Sequence, residues 1–108
     1  MERRQYDRYS TDGLVVMIDS KIAHALDISI GGLRIERKSE LLFESVHDVK
    51  VVRKIGDKLD LNSSVGIMAQ VIRVNDTSVA LQFLSPSYDM LRFIVDNVAT
   101  TEHTNVLA

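Results

Sequence analysis

The chain has 108 residues, no cysteine and a formal net charge of −2. That length suits one domain with one modest hydrophobic core. The missing cysteines exclude disulfides, thiolate chemistry and Cys-based zinc sites, and the slight acidity excludes a global basic field for gripping DNA or RNA; an anion site, if present, is local.

Taken in chain order, residues 1–12 hold Arg3, Arg4 and Arg8, mixed with tyrosines and acids and without periodicity. They read as a flexible N-terminal arginine arm that runs into the turn-like "TDG". "LVVMI" at 14–18 is a β-branched strand, "DSK" at 19–21 is turn chemistry, and "IAHALDI" at 22–28 alternates at strand period. "SIGG" turns the chain into a further strand, "LRIER" at 33–37. Residues 38–54 allow two readings: a short helix capped near Ser39, or an irregular excursion followed by a strand at 49–53. "IGDKLDL" at 55–61 has a turn signal followed by Leu59 and Leu61 at period two. "VGIMAQVIRV" at 65–74 is a longer strand, "NDTS" is a hairpin turn, and "VALQFL" at 79–84 returns. "SPSYDMLRFIVDNV" starts a helix near Pro86 and Ser87, with Leu91, Ile94, Val95 and Val98 as its expected core stripe. Residues 100–108 read as a polar tail. About six short strands closed by one helix predict a mainly all-β fold, an antiparallel barrel or sandwich, over residues 13–99.

The polar start does not lead into an apolar signal-peptide core, and the run "GLVVMI" is too short to span a bilayer. The expectation is a cytoplasmic protein without membrane insertion, a monomer or weak homodimer. His24, His47 and His103 lack metal-like spacing, and neither a Gly-x-Ser-x-Gly motif nor a P-loop occurs. The chain therefore reads as a binding protein, not an enzyme, with no metal site or cofactor. Three Tyr, three Phe and no Trp give little material for a base-stacking platform, so DNA and RNA are not expected partners.

Two stretches carry the candidate chemistry. In "RRQYDR" at 3–8 every cation is Arg. A solvated charged terminus accounts for a charge run, but the guanidinium fork also fits phosphate oxygens and the O6/N7 edge of guanine. In "DISIGG" at 27–32, the glycines permit positive φ and Asp27 and Ser29 can satisfy loose backbone groups, as in any tight turn. Asp27 and Ser29 also alternate onto one face, where a carboxylate can accept from guanine N1–H and the exocyclic amine.

Together, the two stretches resemble the PilZ domain family. Arg4 and Arg8 match its Arg-x-x-x-Arg motif, with Arg3 as the extra arginine that often precedes it, and Asp27, Ser29 and Gly32 match its Asp/Asn-x-Ser-x-x-Gly motif. "GLRI", "IGDKLDL", "AQVIRV", "VALQF" and the C-terminal helix fall where such domains place strands and the closing helix. Ala80 stands where many members have Gly, and residues 38–54 are longer than usual. The resemblance implies a six-stranded antiparallel PilZ-type β-barrel with a C-terminal α-helix, and binding of cyclic di-GMP by Arg3, Arg4, Arg8, Asp27, Ser29, Gly31 and Gly32. The doubled arginine implies an intercalated pair of ligand molecules. It further implies a receptor whose arm orders on binding and signals to a downstream protein in motility, adhesion or exopolysaccharide control. The alternatives are a PilZ-like interaction module that works without nucleotide, and an unrelated small barrel with coincidental motifs.

Overall fold

A computed structural model describes residues 13–37, 41–85 and 87–99. Six antiparallel strands close into a barrel in the order β1-β2-β3-β6-β5-β4. They are β1 (Leu14–Ile18), β2 (Lys21–Ser29), β3 (Gly32–Glu36), β4 (Val46–Ile55), β5 (Lys58–Val74) and β6 (Ser78–Phe83), followed by α1 (Tyr88–Ile94) and a π-helical turn at Val95–Ala99. Closure comes from β1 pairing with both β2 and β4, so the first strand has no free edge.

Local chemistry accounts for the hairpins. Ile18 pairs with Lys21 across a turn in which Asp19 and Ser20 both adopt positive φ, 51° and 65°. Two central left-handed residues match the twist of the flanking strands. Ile55 pairs with Lys58, and Gly56 at φ +60° carries that turn. The barrel interior is filled by alternate strand residues, among them Val16, Ile28, Leu33, Val51, Val71 and Leu81. On β2 the smaller alternating set, Ala23 and Ala25, faces inward, while Ile22 and Leu26 are 48% and 41% exposed.

Three expectations change. Of the two readings for residues 38–54, the excursion holds for the described part: residues 41–45 form turns, and β4 begins at Val46, while Ser39 lies outside the described residues. The segments at 59–61 and 65–74 belong to one strand, β5, which runs from Lys58 to Val74 and pairs with β4 on both sides of a bulge that leaves residues 61–63 without partners there. The helix is capped at Ser87, whose hydroxyl accepts from the Met90 amide at 3.1 Å; Pro86 lies outside the described residues. Its buried side chains are Met90, Phe93 and Ile94. Leu91 and Val95 are instead 40% and 43% exposed, so the expected stripe is rotated, and the Val98 side chain is outside the described set.

Candidate functional site

The "DISIGG" stretch forms the end of β2, a two-residue turn at Ile30–Gly31 and the start of β3. A β-bulge breaks the β2–β3 register between Ala25 and Asp27. Ala25 is inward, and without the bulge Asp27 would follow it. With the bulge, Ile28 enters the core at 0% exposure and the Asp27 carboxylate reaches the surface with 18% of its side chain exposed. The same register sets Asp27 opposite Arg34. Arg34 Nε donates to Asp27 Oδ2 at 2.9 Å, which orients the carboxylate.

Ser29 has a different place from Asp27. It is 3% exposed. Its hydroxyl accepts from the Gly31 amide at 3.2 Å and lies 3.4 Å from the Gly32 carbonyl it faces as donor. Its donor and one of its acceptor positions are used inside the turn. Gly31 passes the turn's stability to β6, since its carbonyl accepts from the Phe83 amide at 2.9 Å. Gly32 is in an ordinary backbone region, so positive φ is not what it supplies. A Cβ at Gly32 would collide with the Leu81 carbonyl oxygen and lie 3.3 Å from Gln82 Cα. Only glycine lets β3 approach β6 that closely here.

Arg3, Arg4 and Arg8 lie outside the described residues. The point from which they depart is described. Gly13 precedes β1, and its carbonyl accepts from the Lys54 amide of β4 at 2.6 Å. On the other side, β1 pairs with β2 through Val15 and His24. That pairing ends at Val15, so Gly13 leads into the strand that neighbours the one carrying Asp27, which lies three residues beyond His24 on β2.

Arg34 was not among the sequence-derived candidates. The signal for it is arithmetic: a two-residue turn at Ile30–Gly31 puts Asp27 and Arg34 opposite each other. A second polar cluster, too, was invisible in the scattered histidine spacing. His47 Nδ1 lies 2.9 Å from Asp19 Oδ2, and its Nε2 lies 2.8 Å from Ser45 Oγ. The serine hydroxyl also donates to the Leu42 carbonyl. It is engaged in the loop, and the cluster ties the β1–β2 turn to the start of β4. Among the described residues no group of three or more His, Cys, Asp or Glu side chains could hold a metal ion. Away from the Asp27 hairpin, a cleft of about 560 Å³ separates α1 from β5.

The sequence matches the model of the PilZ domain family over residues 2–99. Among solved structures, the chain is similar to the PilZ domain of YcgR from Escherichia coli with c-di-GMP, at TM-score 0.66 and 16% identity, covering 97% of this chain and 98% of that one. It is similar to the Bacillus subtilis inhibitor of motility, MotI/DgrA, at TM-score 0.65 and 20% identity, covering 87% of this chain but 48% of that longer one. An uncharacterised Legionella protein matches at TM-score 0.59 and 20% identity, over 83% of this chain and 89% of that one. No curated protein matches the sequence.

Proposed function

Because this chain belongs to the PilZ domain family, we propose that it is a receptor for cyclic di-GMP, with the arginine arm and the β2–β3 hairpin as two halves of one site. The observation that supports this reading is the Asp27 carboxylate, which reaches the surface and is held in one orientation by Arg34, on the strand next to the one that Gly13 leads into. A carboxylate so held can accept from guanine N1–H and the exocyclic amine, and guanidinium groups on the arm can take phosphates and the guanine O6/N7 edge. The solved E. coli PilZ domain with c-di-GMP supports the choice of ligand, since it shares this fold over nearly its whole length.

In this reading Asp27 selects guanine, and Arg4 and Arg8 contact phosphate and base edges. Arg3 bridges or stacks, and an intercalated pair of ligand molecules is bound. Ser29, Gly31 and Gly32 act through the turn they shape, since the Ser29 hydroxyl is already bonded within it. Ordering of the arm over the nucleotide creates a composite surface for a downstream protein in the cytoplasm. No described helix is long and apolar enough to cross a membrane. The protein works by binding, without catalysis.

Isothermal titration with cyclic di-GMP, with GTP and cyclic di-AMP as controls, tests the proposal. Micromolar or tighter binding selective for the guanine dinucleotide is expected, at two molecules per chain. Absence of binding by titration and by a second method would move the function to protein contact without nucleotide.

A further inference from the structure

The bond between Asp27 and Arg34 uses only part of the arginine. Nε is the atom that donates to Asp27 Oδ2, at 2.9 Å. Among the described residues the two Nη groups make no hydrogen bond or ion pair, and the side chain is nearly half exposed. A guanidinium is rigid and planar, with its donors in fixed directions. Holding Nε against Oδ2 therefore keeps an Nη donor beside the carboxylate. The strand register leaves that donor accessible. Arg34 has Asp27 of β2 as one cross-strand neighbour and Ala80 of β6 as the other. A methyl group neither covers a guanidinium nor offers it an acceptor.

Carboxylate and guanidinium together present two acceptor oxygens with a donor next to them. The Watson–Crick edge of guanine is the complement: the exocyclic N–H, then N1–H, then the O6 acceptor. Cytosine reads guanine with the same order of acceptor, acceptor and donor. Adenine has an acceptor at N1 and a donor at N6, so it meets this pair with like against like.

On the premise that the hairpin is the guanine-reading half of a cyclic di-GMP site, we propose that Arg34 is a specificity-determining residue that touches the base. Asp27 accepts from the exocyclic amine and N1–H, and Arg34 Nη donates to O6, so the pair does the work of cytosine in a base pair. The bond to O6 is charge-assisted. O6 keeps a second lone pair on its N7 side, which an arm guanidinium can take. Arg34 thus acts twice: Nε orients the carboxylate, and Nη reads the one position of the guanine edge that a carboxylate cannot.

The experiment titrates the full native chain and Arg34→Met, which keeps an apolar stem and removes the donors. The ligands are cyclic di-GMP, its 6-thioguanine analogue, in which sulfur is a weak acceptor in place of O6, and cyclic di-IMP, which lacks the exocyclic amine. The native chain should prefer cyclic di-GMP to the thio analogue by about ten- to a hundredfold, the loss of a hydrogen bond to a charged group. Arg34→Met should cut that preference by about tenfold, while the preference over cyclic di-IMP, which Asp27 sets, stays within about twofold of native. A native chain indifferent to the thio substitution, or an unchanged thio preference in Arg34→Met, overturns the contact with O6. Loss of both preferences together overturns it too, because Arg34 then acts only by orienting Asp27. A native chain that binds no cyclic di-GMP overturns the receptor reading and this inference with it. Native binding with the wrong pattern of preferences overturns the role of Arg34 alone.

Discussion

Gly32, Ser29 and Asp27 sit within six residues yet do three different jobs. Gly32 is where two strands come close, so Gly32→Ala should destabilise the barrel by about 1–3 kcal/mol through overpacking against Leu81; urea denaturation measures this, and an unchanged midpoint would contradict the close approach. Ser29→Ala removes the turn's internal bonds and should cost about 1 kcal/mol of stability. It should lower nucleotide affinity without altering the preference for guanine over adenine. Asp27→Ala should do the reverse, sparing stability and erasing the preference, as parallel titrations with cyclic di-GMP and cyclic di-AMP would show. Arg4→Ala and Arg8→Ala should each weaken binding by about 2–4 kcal/mol through lost charge-assisted bonds, and wild-type affinity in either variant would remove that residue from the site. The types of all these residues were legible in "RRQYDR" and "DISIGG". The division of labour within the turn was not, because it depends on which side chain the bulge sends outward.

The helix shows how far an element can be read from its pattern. Leu91, Phe93, Ile94 and Val95 follow one another closely, and α1 is only seven residues long. With apolar side chains on most of its circumference, periodicity does not single out one face. Packing chooses Met90, Phe93 and Ile94. Met90→Ala should therefore cost about 2–5 kcal/mol as a core deletion, while Leu91→Ala should stay within about 0.5 kcal/mol as a surface change. Equal losses from the two variants in chemical denaturation would restore the stripe through Leu91. β5 makes the same point in a strand. Leu59 and Leu61 do lie in a strand, as their spacing indicates, yet Leu61 is 60% exposed. The unpaired stretch at 61–63 releases it from the core-facing alternation.

Across the molecule, barrel closure sets β1 between β4 and β2, the strand that carries Asp27. Binding at a site shared by arm and barrel should stabilise the folded chain. At a free ligand concentration 100 times the dissociation constant, the gain is about 2.7 kcal/mol by mass action. For a domain of this length that raises the melting temperature on the order of 10 °C. Cyclic di-GMP should produce this shift in thermal melts of the native chain and, at the same ligand concentration, a much smaller one in Arg4→Ala. A shift of the same size in both would place the ligand elsewhere.

Strand periods, turn residues and the composition of two short motifs are local properties, so the mainly β class, the closing helix and the PilZ family were all readable along the chain. The helix cap at Ser87 and the turn at Asp19–Ser20 belong to the same class, because their hydrogen bonds and backbone angles are set within a few residues. The pairing of Asp27 with Arg34, the collision awaiting any side chain at Gly32 and the meeting of His47 with Asp19 depend on register between strands. So does the opening of the cleft at residues 61–63. Register is chosen by the packing of the whole closed barrel, in which one inserted residue reverses every side chain beyond it, and that choice was made in three dimensions.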